Sequence, residues 1–161
     1  MTQASTDNIT RAEARQRSDL LTVDSYLVDL DLTGTGPTFR STTTCCFSAV
    51  SPGSSSWIDL LADSVESVTL NGLDLQVAEV VKGGRIRLPD LARDNTLTVV
   101  AHCRYMNTGE GLHRFIDPVD NETYLYTQFE SADARRMYAC LDRKSTRLNS
   151  SHSSVSRMPS S

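Results

Sequence analysis

Residues 67–77 read SVTLNGLDLQV. The dipeptide Asn71-Gly72 sits between two short apolar runs and supplies the two positive-φ positions of a type I′ turn. The stretch therefore reads as a β-hairpin and sets a period-two frame for its neighbours. Downstream, Gly83-Gly84 marks a second turn before RIRLP at residues 85–89. Residues 95–106, NTLTVVAHCRYM, alternate again and direct Leu97, Val99, Ala101, Cys103 and Tyr105 inward. Upstream, TFRSTTTCCFSAV at residues 38–50 groups Phe39, Cys45, Phe47 and Ala49 and turns a threonine-rich face to water. Tyr26, Val28, Leu30 and Leu32 share one face, with Asp29 and Asp31 on the other. Residues 107–122, NTGEGLHRFIDPVDNE, read as a loop, and TYLYTQF at 123–129 is aromatic and β-prone. Many short strands punctuated by turns predict a mainly β chain, an antiparallel β-sandwich over residues 23–129.

Helical signals are confined to the two ends. Thr10 and Glu13 form a Thr-x-x-Glu capping pattern, which predicts a short helix over residues 11–21. Its apolar stripe is thin, so it reads as an arm resting on something else. Spacing beyond Phe129 is compatible with a second short helix over residues 132–141. The expected organisation is an arm at 1–21, a β domain at 22–142 and a tail at 143–161.

That tail changes composition abruptly. Residues 142–152 read DRKSTRLNSSH, and no acid follows Asp142. Without its four basic residues, 12 Lys and Arg face 20 Asp and Glu, a net charge of −8. An acidic domain excludes a basic nucleic-acid stripe. No run approaches the roughly 20 apolar residues of a membrane helix, so neither nucleic acid nor membrane is an expected partner. The N-terminus is polar from the start and lacks the apolar segment of a secretory signal. Cys45 and Cys46 are adjacent and project to opposite faces of a strand, a poor disulfide framework. Reduced Cys45, Cys46, Cys103 and Cys140 make the cytoplasm the expected compartment.

The chemistry visible in the residues is sparse. The histidines are His102, His113 and His152, and no His-Glu-x-x-His or Cys-x-x-Cys occurs. His102 falls on the polar face of its strand, and His113 falls in a loop with Glu110 and Asp117 nearby. No nucleophile elbow and no phosphate-binding glycine loop is present. Gly109 and Gly111 serve a turn. No catalytic residue and no metal ligand is assigned.

One stretch goes further. TGEGLHRFIDPVDNETYLYTQFESADARRMYACLD, residues 108–142, resembles the junction of the aminopeptidase N family of zinc gluzincin aminopeptidases. NITRAEARQRSDLLTVDSYLVDLDL, FRSTTT and VTLNG resemble the N-terminal domains of bacterial, particularly actinobacterial, members. The resemblance covers nearly all of residues 8–142. It implies a saddle-shaped N-terminal β-sandwich that precedes a thermolysin-like catalytic domain. The family's Gln-x-Glu motif falls on Gln128, Phe129 and Glu130. On that match Glu130 binds the free α-amino group of a peptide substrate, and Gln128 lines the pocket for the first side chain. Read from the residues alone, Glu130 is a helix-start acid favoured by the dipole.

The family's Gly-x-Met-Glu-Asn strand and His-Glu-x-x-His helix, which hold zinc, do not occur in this sequence. The resemblance therefore implies a fragment of a metallo-aminopeptidase, a zinc hydrolase acting in peptide catabolism. The fragment is expected to bind no zinc, to be inactive alone, and to need the catalytic domain as its packing partner. The tail resembles a translated sequencing adapter, which implies that residues 143–161 are non-native and disordered. Two alternatives stay open: a free-standing β-sandwich binding module, and a scaffold domain with no ligand.

Overall fold

The computed structural model describes residues 10–107, 111–128 and 133–141. Helix α1 (Arg11–Leu20) leads into strands β1 (Leu21–Asp31) and β2 (Thr38–Ala49). Then come β3 (Ser56–Asp59), β4 (Ser64–Leu70), β5 (Leu73–Leu75), the single helical turn α2 (Val77–Val80) and β6 (Val81–Lys82). Strands β7 (Arg85–Leu88), β8 (Asp94–Arg104), β9 (Gly111–Ile116) and β10 (Thr123–Gln128) complete the β structure, and a 3-10 turn spans Asp133–Arg136. All strand pairs are antiparallel. They form a five-stranded sheet in the order β1-β2-β8-β4-β5, a three-stranded sheet β3-β7-β6 and the hairpin β10-β9. This is the mainly β antiparallel domain that the turn pattern predicts.

The turns form for the expected reasons. Asn71 and Gly72 have φ of 53° and 82° between β4 and β5, the conformation a type I′ turn requires. Asn71 has a second role that explains the amide. Its Oδ1 accepts from the Thr96 N–H at 2.8 Å and its Nδ2 donates to Asn95 Oδ1 at 2.9 Å, so the hairpin tip is tied to β8. At the N-terminus the Thr10 hydroxyl accepts from the Glu13 N–H while the Glu13 carboxylate accepts from the Thr10 N–H. This reciprocal cap starts α1 where the sequence places it, and the helix ends at Leu20 because Leu21 already pairs with Ala49.

The core lies where the inward faces of the sheets meet. Phe47, Val68, Leu97 and Val99 come from the larger sheet, and Ile58, Ile86 and Leu88 from the smaller one; all are essentially inaccessible. Each large apolar side chain so enclosed contributes roughly 1.5–3 kcal/mol. The alternation predicted for β8 is observed, with Leu97, Val99, Ala101 and Cys103 buried and Tyr105 packed at the edge.

Three expectations change. First, the threonine-rich face of β2 is not wholly exposed: Ser41 and Thr43 alternate inward with Phe39 and Cys45 and are buried. Second, residues 111–116 are not loop but strand β9, paired along its length with β10. Third, the short C-terminal helix is a 3-10 helix confined to Asp133–Arg136, and residues 137–141 continue as an extended strap.

The strap accounts for the buried hydroxyls. Ser41 Oγ donates to the Met137 carbonyl at 2.7 Å, and Thr43 Oγ1 accepts from the Ala139 N–H at 3.1 Å. Cys140 exchanges both backbone hydrogen bonds with Asp59 of β3, and the Leu141 N–H donates to the Tyr26 hydroxyl. Buried backbone groups must find partners. These sites satisfy the strap's without an intrahelical ladder, while Ala139 and Leu141 enter the core. The strap thereby links the two sheets.

Residues 1–9 of the arm, Phe129, Glu130 and the tail at 143–161 lie outside the described residues.

Candidate functional site

Gln128 is the last residue of β10 and pairs with Gly111, the first residue of β9. Gly111 has φ of 66°, and a Cβ there would stand 3.0 Å from Arg136 Cβ. A side chain at this position would be strained and crowded at once. The hairpin end that carries Gln128 is thus seated closely on the 3-10 turn, with Met106 held in a bridge to His113 on the other side. Glu130 lies outside the described residues.

The rest of the hairpin has two distinct faces. Leu112 and Leu125 are buried. Arg114 donates to the Gly36 carbonyl at 2.8 Å and places its guanidinium 4.2 Å from the Tyr105 ring centroid. On the other face the rings form a ladder. His113 stacks on Tyr126 with centroids 4.5 Å apart, and Phe115 stacks on Tyr124 at 5.5 Å. His113 is therefore a stacked strand residue and not a loop residue. Beside this ladder Phe115, Ile116 and Val119 are exposed, Val119 at 92%. Tyr138 and Met137 belong to the strap. Tyr138 meets Tyr26 edge-on at 6.1 Å, and Met137 packs against the core.

The charged side chains are arranged in pairs. Glu66 occupies the bulge of β4 and faces both Arg40, at 3.2 Å, and His102 Nε2, at 3.3 Å. The Arg40 hydrogen bond and the nearby His102 lower the Glu66 carboxyl below its ordinary range. Arg104 grips Asp63 at 2.8 Å. His102 is thus a paired surface histidine. All four cysteines are free, and burial pushes the Cys45 and Cys103 thiols up to about 12, which makes both inert. Among the described residues no three His, Cys, Asp or Glu side chains come together as a metal site. No helix among them is long and apolar enough to cross a membrane.

A cluster that sequence reasoning missed lies under α1. Arg17, 4% exposed, makes an ion pair with Asp59 at 2.9 Å, and Glu13 pairs with Arg85 at 3.0 Å. Both guanidiniums lie over the Trp57 ring, 5.2 and 5.1 Å from its centroid. The only sequence signal was the thinness of the helix's apolar stripe, which is completed here by an arginine.

No protein-family profile matches the chain. Aminopeptidase N of Streptomyces lividans is 59% identical over 138 residues, which make up 84% of this chain and 16% of that relative. The chain belongs to the aminopeptidase N family. It spans about one-sixth of the length of this curated relative. Two solved structures share the fold. Aminopeptidase A of Legionella pneumophila, crystallised with aspartic acid, superposes with a TM-score of 0.61 at 16% identity, over 76% of this chain and 14% of that one. A mutant M1 zinc metallopeptidase from Deinococcus radiodurans gives 0.58 at 18% identity, over 76% and 29%. The β architecture is that of the N-terminal domain of the aminopeptidase N family, and the chain is a fragment of such a domain.

Proposed function

We propose that the chain is part of a zinc-dependent aminopeptidase that removes N-terminal residues from peptides. Glu130 would bind the substrate's α-amino group, and Gln128 would line the pocket for the first side chain. The observation that carries this reading is the 59% identity to an aminopeptidase N across 84% of the chain. The chemistry is consistent with it: an aminopeptidase must distinguish a charged terminus from an internal amide. A desolvated carboxylate does so through charge-assisted hydrogen bonds to an ammonium. On this reading the zinc ion and the hydrolytic step belong to the rest of the parent, and the chain alone is inactive. The exposed Phe115, Ile116 and Val119 beside the aromatic ladder support a packing surface for that missing part. Cytoplasmic peptide catabolism is the setting we propose, and residues 143–161 have no role in it.

The test is made in the full-length parent. Glu130→Ala leaves the zinc ligands intact and removes the anchor, a loss of roughly 2–5 kcal/mol for a buried charge pair. Catalytic efficiency on free-amine aminoacyl amides should fall for every side-chain class, because the anchor also orients the scissile carbonyl. Acetylated substrates serve as the control. Full efficiency of the variant on free-amine substrates would show that Glu130 is only a helix-start acid.

A further inference from the structure

We propose that Asn71 is a site of spontaneous deamidation, held off by a clamp onto β8 and released when the β4–β5 hairpin tip opens. Asn71 is the one asparagine of the chain that precedes a glycine. The reaction needs only water as co-reactant. The Gly72 backbone nitrogen gives up its proton and bonds to Asn71 Cγ. The bond from Cγ to Nδ2 breaks, and that nitrogen takes up a proton and leaves as ammonia. Water then opens the five-membered imide, at one carbonyl to give aspartate and at the other to give isoaspartate. A glycine favours the attack because no side chain crowds its nitrogen. Both residues of the tip are exposed, and a Cβ added at Gly72 would meet nothing within 4 Å.

Sequence and solvent access favour the reaction, and the fold opposes it. Strand β4 lies between β8 and β5. Hydrogen bonds draw Asn71 toward β8: its N–H donates to the Thr96 carbonyl at 2.9 Å, and its Oδ1 accepts from the Thr96 N–H at 2.8 Å. Its Nδ2 donates to Asn95 Oδ1 at 2.9 Å. Gly72 carries the chain the other way, into β5. Ring closure requires the side-chain carbonyl to turn back over the Gly72 nitrogen, so both side-chain bonds must break first. Asn95 is a firm anchor, 3% exposed, and its amide exchanges two hydrogen bonds with the Ala92 backbone at 2.7 and 2.9 Å. The clamp acts where opening is easiest, because β5 is a three-residue strand at the edge of its sheet.

The products cannot restore the clamp. An aspartate at position 71 has no N–H to donate and turns a carboxylate toward Asn95 Oδ1, itself an acceptor. An isoaspartate adds a methylene to the main chain of a two-residue turn whose length sets the pairing of β4 with β5. The tip therefore records, irreversibly, how often this edge has opened.

The intact chain is incubated at neutral pH and digested with trypsin. The fragment from Ser41 to Lys82 carries Asn71 as its sole asparagine, and its mass and fragmentation spectra measure amide-to-acid exchange there. The free peptide of residues 67–77 gives the unclamped rate. The intact chain should react at least about tenfold more slowly, since only its open population reacts. Asn95→Ala removes the acceptor for Nδ2 and should speed the reaction about fivefold. Asn95→Asp keeps an acceptor there while losing the same donor to Ala92, so it should stay near the wild-type rate. A rise shared by both variants would come from lost packing around Asn95 and overturns the proposal. So does an Asn95→Ala rate equal to wild type, or an intact chain that reacts as fast as the peptide. A second measurement needs no variant and holds even where Asn95→Ala fails to fold. In urea below the global transition, hydrogen exchange of the Thr96 amide should rise in parallel with deamidation, and deamidation that rises while Thr96 stays protected overturns the clamp.

Discussion

Replacing Asp59 by alanine should unfold the docking of α1 and destabilise the whole domain. Arg17 is 4% exposed, and its Nη1 lies 2.9 Å from Asp59 Oδ2. With the carboxylate gone, the guanidinium keeps only the Trp57 carbonyl at 3.4 Å and the indole face at 5.2 Å. Removing one partner of a buried pair costs about 3–5 kcal/mol, because the other charge is left desolvated. The Trp57 cation–π contact is present with and without Asp59 and leaves that difference unchanged. The expected loss is therefore about 3–5 kcal/mol, a large share of a typical domain's stability of about 5–15 kcal/mol. Urea unfolding followed by Trp57 emission measures it directly. The paired variant Arg17→Met with Asp59→Leu removes both charges and should stay within about 1 kcal/mol of the wild type, since apolar replacement of a buried pair is often neutral. A loss below about 1 kcal/mol for Asp59→Ala would refute the reasoning, for it would mean that Arg17 reaches water.

Two further outcomes follow from single contacts. Thr43→Val keeps shape but removes the acceptor for the buried Ala139 N–H, which should cost about 1–3 kcal/mol; faster amide exchange at Ala139 would locate the effect, and unchanged exchange would contradict it. Glu13 is held down to about 2 from its ordinary 4.5 by the Arg85 hydrogen bond and by the Thr10 N–H. A depressed folded-state value stabilises above the unfolded pKa, and that stability is lost as pH falls from about 4.5 toward 2. With the Glu13 side chain 35% exposed, screening keeps the term under about 1 kcal/mol. The stability gap between wild type and Glu13→Gln should be present at neutral pH and close in that acid window; a gap independent of pH would show that the ion pair does not form.

Local sequence determined the strands whose signals are local. Asn71-Gly72 needs only two positive-φ residues between apolar runs, and Leu97 to Cys103 need only alternation, so both were legible in the chain itself. The capping box of α1 is a contact between residues three apart, Thr10 and Glu13, and was legible for the same reason. The assignment of Gln128 and Glu130 rests on resemblance, and no local rule supplies it. Tertiary structure decided what depends on distant partners. Residues 133–141 had helix-compatible spacing, yet Asp59, Thr43 and Tyr26 offer their backbone groups satisfied positions that no nearby residue could supply. Thr43 looked like one of a row of exposed threonines until Ala139, 96 positions away, gave its hydroxyl a buried partner. Strand β9 carries polar and charged residues that read as loop, and only pairing with β10 makes it a strand. Arg17 on a thin apolar stripe became a core residue because Asp59 neutralises it 42 positions downstream. Periodicity reports which face a residue prefers; which hydrogen-bond donor or charge waits on that face is settled only when the chain closes on itself.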